Sequence, residues 1–320
     1  DGRDMQRLSF RGAWQRNFLS ENGIITTLQG AAAANAFMVQ QDTFYQGNVN
    51  RLDGSVGVQF RWPLLRTEGN GVSQLIEPVA QFVTSASTGG TIPNEDSVLV
   101  TFDEGNLFAM NRFPGADATE TGSFANIGVN YLRNDPAGWT VGVTAGRVLR
   151  VRAQDDFTDT SGLIGPKSNW LLAGQVTLAN HFIFMGRALT DDNLELARGE
   201  FQASYVDDQF SLVTGFIHTG ADTEENRLVP ISELLLDTSI DLTPEWTGQL
   251  QGIYDFEAQR ASTAGLALTF KNECVQVNLS LSRRFASSTS VTPTTDFGLS
   301  LELLGFGGSN EPGPARQCRS

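Results

Sequence analysis

The feature that most constrains the fold is a strict alternation of apolar and polar residues over long stretches of the chain. Residues 275–282 read Val-Gln-Val-Asn-Leu-Ser-Leu-Ser, so every second residue is apolar. Successive side chains of a β-strand point to opposite faces, so this pattern gives one apolar and one polar face. Similar alternation occurs near 56–62, 126–131, 139–146, 233–242 and 297–303. Helical periodicity is confined to a short candidate at 103–111, and the sequence therefore predicts an all-β protein.

The length of these runs favours strands that cross a membrane. They last about nine to thirteen residues, whereas strands of soluble proteins usually last about five or six and a transmembrane β-strand needs about nine to eleven. Tight connectors also alternate with long ones, as the short periplasmic turns and longer external loops of outer-membrane barrels do. The tight connectors are expected at 134–138, 180, 207–208, 243–245 and 271–273, and the long ones at 151–167, 220–229 and 286–294.

These patterns predict a transmembrane antiparallel up-and-down β-barrel with about 15–16 strands. Residues 1–306 are expected to form the barrel portion, and residues 307–320 a periplasmic C-terminal tail. Four tryptophans fall at predicted strand ends, where interfacial aromatic girdles lie. They are Trp62, Trp139, Trp170 and Trp246.

Composition excludes a nucleic-acid partner. The net charge is −14, and the only lysines are Lys167 and Lys271, so no basic patch is available to neutralise phosphates. The chain is 40% apolar, but no run approaches the ~18 apolar residues of a membrane helix. Hydropathy alone would therefore suggest a soluble globule. Placed at every second residue of long strands, the same apolar content makes a lipid-facing surface.

Signals for enzymatic chemistry are weak. The two histidines, His181 and His218, fall inside predicted strands and have no Ser or Cys at motif spacing, so a catalytic triad is not expected. The acidic clusters at 94–96, 103–104 and 191–192 match no calcium loop and are interpreted as solvated loop acids. We expect a protein that is not an enzyme and has no metal or other cofactor.

The two cysteines, Cys274 and Cys318, match no metal-binding spacing. One interpretation is a pair of inert thiols. If the last strand ends on the periplasmic side, however, both cysteines lie in a compartment that oxidises thiols, which favours a disulfide.

Three segments carry a resemblance to a known family. Residues 94–97 read Asn-Glu-Asp-Ser, residues 102–117 read Phe-Asp-Glu-Gly-Asn-Leu-Phe-Ala-Met-Asn-Arg-Phe-Pro-Gly-Ala-Asp, and residues 273–285 read Glu-Cys-Val-Gln-Val-Asn-Leu-Ser-Leu-Ser-Arg-Arg-Phe. They resemble the LptD family of outer-membrane lipopolysaccharide-assembly proteins, in spellings most like alphaproteobacterial members. The motif residues are Asn94, Asp96, Asp103, Asn106, Asn111, Arg112, Gly115 and Asp117.

The resemblance implies a very large barrel that takes lipopolysaccharide from a periplasmic, LptA-like bridge and inserts it into the outer leaflet. It further implies an LptE-like lipoprotein plug in the lumen and an N-terminal jellyroll domain that docks the bridge. Neither that domain nor the first barrel strands are found in this sequence. We therefore expect an incomplete, C-terminal part of a larger barrel.

The family opens laterally between its first and last barrel strands. The last strand also resembles the signal read by the barrel-assembly machinery, with polar Asp296, Gly298 and the apolar Leu301 and Leu303 at the expected spacing. The resemblance thus implies a lateral-gate strand made of Thr295, Asp296, Phe297, Gly298, Leu299, Ser300, Leu301, Glu302 and Leu303.

The resemblance leaves the cysteines and arginines with open roles. Best-known members bridge adjacent cysteines to the N-terminal domain, whereas Cys274 is single, so it pairs either with Cys318, which we favour, or with a partner outside this chain. Arginine suits bidentate contact with lipid phosphates, and the candidates are Arg112, Arg283 and Arg284. Ordinary lumenal or interfacial arginines are the alternative.

Other functions remain open. A general diffusion porin, or another outer-membrane channel, would have the same architecture and a lumen lined by a constricting loop of opposed charges. A soluble β-sandwich binding module would have short strands. An outer-membrane lipase or palmitoyltransferase would require one of the two histidines to meet a serine.

Overall fold

The computed structural model describes residues 4–42, 45, 47–153, 156–179, 181–285 and 292–304. Sixteen strands are found in this part of the chain. Their bounds are β1 Asp4–Leu19, β2 Ile25–Gln40, β3 Gly47–Arg61, β4 Leu64–Thr67, β5 Ser73–Gly89, β6 Gly122–Asp135, β7 Trp139–Arg150, β8 Trp170–Leu178, β9 Phe182–Thr190, β10 Leu196–Val206, β11 Phe210–Thr219, β12 Ile231–Asp241, β13 Trp246–Asp255, β14 Arg260–Lys271, β15 Val275–Arg284 and β16 Thr294–Leu303.

Helix is almost absent from the described ranges. One short 3₁₀ helix, Asp159–Ser161, lies between β7 and β8. None of the described helical residues belongs to a helix long and apolar enough to span a membrane. The predicted helical piece at 103–111 is wrong, because residues 104–108 form turns.

The strands follow one another in the sheet in chain order, which confirms the predicted up-and-down topology. Only β4, among the described strands, lies off this path, and it pairs with the start of β5. The pairings resolved residue by residue are antiparallel. The number of strands agrees with the predicted range.

The predicted alternation of connectors is also confirmed. Short turns join β6 to β7, β10 to β11, β12 to β13 and β14 to β15, whereas long segments join β5 to β6, β7 to β8 and β11 to β12. We call the two ends of the strands the short-turn end and the long-loop end. The predicted turn at residue 180, most of the predicted loop 286–294 and the predicted tail 307–320 lie outside the described residues.

The chain divides into two compact units. The first comprises Asp1–Val176, Gly186–Gly199 and Thr219–Val229, and the second comprises Thr177–Met185, Glu200–His218 and Pro230–Ser320.

In the first unit, the alternation in sequence becomes two chemically different faces. Along β3, Arg51 and Asp53 are buried on the polar face, while Leu52 and Val56 on the other face are 60% and 58% exposed. Asp53 accepts hydrogen bonds from Asn35 on β2 at 3.0 Å and from Ser87 on β5 at 2.7 Å. The polar face is therefore cross-linked between strands, and the apolar face is left bare.

The second unit repeats this division. Leu268, Leu279 and Leu299 stand opposite one another on β14, β15 and β16 and form an apolar row. One position along, Thr269, Asn278 and Ser300 form the polar row. A one-residue shift in register would exchange the two faces, so the pairing is strongly specified.

Aromatic side chains cluster at both ends of the strands of the second unit. Trp246 and Phe270 lie 5.0 Å apart at the short-turn end, while Phe256 lies 5.1 Å from Tyr254 and 6.0 Å from Phe216 at the long-loop end. About ten residues of about 3.3 Å each, tilted by about 40°, separate these clusters by about 25 Å along the barrel axis. That height matches the apolar band of a membrane barrel.

The tryptophans lie where the sequence predicts them. Trp139, Trp170 and Trp246 begin β7, β8 and β13, and Trp62 directly follows β3.

Candidate functional site

The loop 90–121, between β5 and β6, carries the motif residues and lies on the polar face of the first unit. The side chain of Leu107 contacts the backbone at Gly128 and Gly146, where added Cβ atoms would lie 3.1 and 2.6 Å from its Cδ2 atom. Met110 similarly lies 3.4 Å from the position of a Cβ on Gly57. These three glycines leave the shallow space into which the loop packs.

An apolar core holds the loop against the strands. Phe102 and Leu107 from the loop are fully buried with residues from the neighbouring long connector and from β7, β8 and β9. Phe113 of the loop stacks on Phe157 of the β7–β8 connector, with ring centroids 4.7 Å apart. The partners are Val148, Phe157, Leu163, Leu171 and Leu189. Burial of each large side chain contributes about 1.5–3 kcal/mol, so the loop is a packed structural element.

Two motif carboxylates close the loop on itself. The Oδ1 and Oδ2 atoms of Asp96 accept the backbone N–H groups of Asp117 at 2.9 Å and Ala116 at 3.1 Å. In return, Oδ2 of Asp117 accepts the N–H groups of Glu95 at 2.9 Å and Asp96 at 3.1 Å. We call this reciprocal arrangement of Asp96 and Asp117 the carboxylate clasp.

Gly115 is required by the clasp. A Cβ atom at this position would lie 1.9 Å from Oδ1 of Asp96 and 2.6 Å from its carbonyl oxygen. No side chain fits there while the clasp is closed, and this explains glycine at the motif position.

Two strand arginines bind the clasp from the polar face. Arg7 of β1 donates to Asp96 at 2.9 Å and to Asp117 at 3.0 Å. Arg51 of β3 donates to the carbonyl oxygens of Asp117, at 2.6 Å, and Ala116. Burial raises the pKa of Asp96, but the hydrogen bonds from Arg7 and from the backbone N–H groups outweigh burial and hold the pKa well below its usual range.

Arg112 anchors the other end of the loop. Its guanidinium is fully buried and donates to Glu120 at 2.6 Å, to the carbonyl oxygen of Leu107 at 2.9 Å and to the side chain of Asn126. The second oxygen of Glu120 accepts two N–H groups of Arg150, at 2.8 and 3.1 Å. The side chains of Arg112 and Glu120 are both 0% exposed. This geometry disfavours the predicted lipid-phosphate contact for Arg112, because its charge is used within the protein.

The remaining motif residues shape the turns of the loop. Asp103 accepts the N–H groups of Gly105 and Asn106, and Asn106 returns a contact by accepting the N–H of Asp103 at 3.0 Å. Asn111 accepts the N–H of Glu120 at 2.9 Å, and Asn94 accepts that of Ser97 at 3.0 Å. Such local bonds favour turns over helix, which explains why residues 103–111 are not helical.

The sequence did not identify the residues that bind the motif. Arg7, Arg51, Glu120 and Asn126 contact it, and Arg150 binds Glu120, yet none of the five belongs to the predicted set. The available signal was that Arg51 and Asn126 occupy the polar positions of alternating strands. Nothing in that pattern identifies the partner.

A second group of contacts joins two other long connectors within the first unit. Asp222, between β11 and β12, accepts the N–H of Thr160 at 2.9 Å and its hydroxyl at 2.8 Å. Burial raises the pKa of Asp222, but these bonds and the N–H groups of Glu225 and Glu224 lower it overall. Together with the stack of Phe113 on Phe157, these contacts make the long connectors one cap, which we call the loop cap.

In the second unit, β16 pairs with β15 over ten residue pairs, from Val275↔Leu303 to Arg284↔Thr294. Among the described residues, β15 is the only partner of β16. Phe297 and Leu299 on its apolar face are 83% and 73% exposed. The predicted gate residues therefore lie in a strand that is paired with β15, and their role as a gate stays a prediction.

The remaining predicted site residues lie near this strand pair. Arg283 falls on the apolar face of β15 and Arg284 on the polar face, because they follow Leu281 and Ser282 in the alternation. The backbone of Cys274 lies in the turn before β15 and accepts the N–H of Leu304 at 2.7 Å. Cys318 lies outside the described residues, so the disulfide between the two cysteines stays a prediction.

Both histidines make hydrogen bonds with neighbouring strands or their ends. His181 contacts the carbonyl oxygen of Val206 through Nδ1 at 2.9 Å. His218 meets a serine, since its Nδ1 atom lies 2.9 Å from Oγ of Ser232. The hydroxyl of Ser232 also lies 2.9 Å from Oε1 of Glu257, to which it donates.

Comparison with known proteins identifies the family of this chain. A family model, LptD: LPS transport system D, matches residues 1–246. The chain belongs to the LptD family. The LPS-assembly protein LptD of Acinetobacter baylyi is 25% identical over 202 residues, which cover 58% of this chain and 23% of that protein. The chain thus spans less than a quarter of the length of this LptD relative.

Solved structures that the chain resembles include a siderophore receptor and a porin. The siderophore receptor PirA from Acinetobacter baumannii has a TM-score of 0.45 and 9% identity, over 95% of this chain and 57% of PirA. A mutant porin of Rh. blastica has a TM-score of 0.34 and 11% identity, over 92% of this chain and 89% of the porin. At TM-scores below 0.5 we draw no argument from either likeness.

As a member of the LptD family, this chain belongs to an integral protein of the outer membrane. The apolar face of the strands therefore meets lipid, as the alternation in sequence predicts. The motif that carries the resemblance to LptD corresponds to the carboxylate clasp, the turns and the arginine anchor of loop 90–121.

Proposed function

We propose that this chain is part of an outer-membrane translocon that inserts lipopolysaccharide into the outer leaflet. Lipopolysaccharide has a charged, sugar-bearing head and apolar acyl chains, so its transfer needs a polar path and a seam that opens to lipid. The two faces of the sheet supply the chemistry for each part. Membership of the LptD family supports this assignment.

The observation that carries the proposal is the one-sided pairing of β16. Its second edge would present unpaired N–H and C=O groups to lipid, and in hydrocarbon each such group costs several kcal/mol. In the complete barrel, we propose, the first strand covers this edge. A seam closed only by backbone hydrogen bonds opens when that one pairing is lost.

Gly298 lies in the middle of the gate strand and weakens it. Glycine adds no side chain to the face and loses more backbone freedom on pairing than other residues. A Cβ atom here would meet Oγ of Ser280 on β15, so glycine leaves room for that hydroxyl on the polar face. The gate strand therefore combines firm pairing on one edge with limited side-chain packing.

We propose that the loop cap restricts the polar path at the long-loop end. Its innermost charged groups are paired and buried in the Arg112–Glu120–Arg150 contacts. A diffusion porin would instead present opposed charges to water in an open constriction. The function as translocon further implies an LptE-like plug, an LptA-like bridge and recognition of β16 by the barrel-assembly machinery, all of which are proposals.

Disulfide crosslinking of the gate strand in the full-length protein tests this function. A cysteine at Leu299 is joined either to a cysteine on the first barrel strand or, as the matched control, to one at Leu279, its register partner on β15. We expect the first crosslink to block the appearance of new lipopolysaccharide at the cell surface. The control crosslink joins strands that stay paired, so export should continue.

Unchanged export with the first crosslink formed would overturn the lateral-gate mechanism. Solute leakage through the reconstituted protein that is independent of lipopolysaccharide would favour the porin.

A further inference from the structure

Arg283 is a charged residue on the apolar face of the last strand pair. It stands opposite Ala264 on β14 and Thr295 on β16, and Leu281 precedes it on the same face. Its guanidinium lies 5.1 Å from the ring centroid of Phe285. Among the described residues it has no carboxylate partner. An arginine facing lipid with its charge uncompensated is costly, so its position along the strand matters.

That position is the membrane interface at the long-loop end. Arg283 is the second-to-last residue of β15, whereas the Trp246–Phe270 cluster marks the opposite, short-turn end. A long side chain at the interface keeps its charged head at the level of the lipid headgroups and its stem along the apolar surface. Phosphate oxygens are the anions found at that level.

An apolar groove lies farther along the strands from Arg283, toward the middle of the band, and Arg283 itself is not among its lining residues. The groove has a volume of about 460 Å³. Its large apolar side chains come from β14, β15 and β16, and they are Leu266, Leu268, Leu279, Leu281, Phe297 and Leu299; Ala267, Ser280 and Gly298 complete the lining. Leu281 lies two residues from Arg283, a distance of about 7 Å along the strand. Charge and groove are therefore spaced like the headgroup and the first part of an acyl chain.

We propose that Arg283 and this groove form a binding subsite for a phosphate-bearing lipid on the outer surface of β14–β16. The planar guanidinium makes two parallel hydrogen bonds to phosphate oxygens. The hydroxyl of Thr295, directly across on β16, is placed to add a third donor. The acyl chain lies in the groove, and its burial makes the subsite selective for a lipid over free phosphate.

The location adjoins the strand that we propose as the gate. If the lipid that binds here is lipopolysaccharide on its way through the gate, the subsite rests on the proposed function. As a subsite for anionic lipid in general, it rests only on the position of Arg283 and the groove.

Arg284 provides a matched control. It is the next residue, but the alternation along β15 places it on the polar face. Both arginines border a second cavity of about 300 Å³, whose lining also includes Asp237 and Asp296. Substitution of either arginine by glutamine removes one positive charge from the same end of the same strand. Only Arg283→Gln removes it from the lipid-facing surface.

Photocrosslinking of the full-length protein in nanodiscs tests the subsite. The probe is phosphatidylglycerol with a diazirine on one acyl chain, in a phosphatidylcholine bilayer, and the readout is labelling of the peptide containing Phe297 and Leu299. We expect Arg283→Gln to lower labelling at least about fivefold, while Arg284→Gln stays within about twofold of the wild type. Arg283→Lys keeps the charge but loses the planar fork, so it should give an intermediate yield.

Two further arms separate the possible ligands. A diacylglycerol probe without phosphate should label weakly, and excess inorganic phosphate should leave labelling by phosphatidylglycerol unchanged. Equal labelling of the Arg283→Gln and Arg284→Gln proteins, or equal labelling by the phosphate-free probe, would overturn the subsite. Because the assay contains no lipopolysaccharide, it can succeed or fail independently of the crosslinking test of export.

Discussion

Asp96 and Asp117 cap each other's backbone, with Asp96 accepting the N–H of Asp117 at 2.9 Å and Asp117 accepting the N–H of Asp96 at 3.1 Å. Residues far apart in the loop are therefore held together by charge-assisted hydrogen bonds, which are about twice as strong as neutral ones. Arg7 joins both carboxylates to β1. The clasp thus links the folding of loop 90–121 to a specific strand.

Substitution Asp117→Asn should open the loop. The amide of asparagine has the same shape as the carboxylate, but its NH₂ group is a donor. It must therefore face either Arg7 or the two backbone N–H groups that donate to Asp117, and the hydrogen bonds on that side are lost. A loss of about 2 kcal/mol would raise the opened fraction of the loop about 30-fold. Native-state proteolysis of loop 90–121 in outer-membrane vesicles measures this fraction. The exposed turn residue Asp208 gives the control Asp208→Asn, and equal cleavage of both variants would contradict a role for the clasp.

Substitution Gly115→Ala tests the close approach at Asp96. The new methyl group would overlap the Asp96 carboxylate, so the clasp must open or shift, at a cost of about 1–3 kcal/mol. The control is Gly54→Ala, because a Cβ at Gly54 meets nothing within 4 Å. We expect faster proteolysis of the loop in Gly115→Ala only. Wild-type resistance in that variant would show that the loop relaxes around the methyl group.

Substitution Glu120→Gln should be the most destabilising of these changes. It leaves the guanidinium groups of Arg112 and Arg150 buried without a counter-charge, and breaking a buried ion pair in this way costs about 3–5 kcal/mol. Thermal unfolding of the detergent-solubilised protein measures the loss. Asp192→Asn removes the 59%-exposed partner of Arg147 and should lower the stability far less, because solvent screens an exposed ion pair.

Should Glu120→Gln fail to fold, the double variant Arg112→Gln, Glu120→Gln gives the same information. It removes one charge of each sign, and partial recovery of stability is expected. No recovery would mean that the pairing of Arg112 with Glu120 is not what stabilises the loop.

The strands were predictable because the sequence of each one shows the alternation of apolar and polar residues by itself. In Val275–Ser282 the alternation specifies both faces without knowledge of any neighbour, and connectors such as 134–138 are marked by turn-forming residues. The identity of the family was predictable from the same local information, since the motif in 94–117 is continuous in sequence.

The packing of the loop was not predictable from the sequence. Arg7 lies 89 residues from Asp96 and 110 from Asp117, and no periodicity connects residues at such distances. Arg112 was a candidate for phosphate contact because arginine suits bidentate hydrogen bonds to phosphate oxygens. Its burial depends on the apolar core around Phe102 and Leu107, which forms only when several connectors meet.

The clasp should also give the loop a defined dependence on pH. The pKa of Asp96 is held well below its ordinary value of 3.8 by Arg7 and two backbone N–H groups, which outweigh the opposing effect of burial. A depressed pKa means that the ionised carboxylate stabilises the folded loop fully above about pH 4, and that this contribution is lost as the pH falls further. The wild type should therefore exceed Asp96→Asn in resistance to loop opening by a constant margin between about pH 8 and pH 5, and the margin should shrink below about pH 4. Loop accessibility to a small thiol-reactive probe, with a cysteine introduced at Ala109, measures the margin at each pH. A margin that already falls between pH 8 and pH 5 would show that Asp96 titrates above its ordinary range and would contradict the clasp.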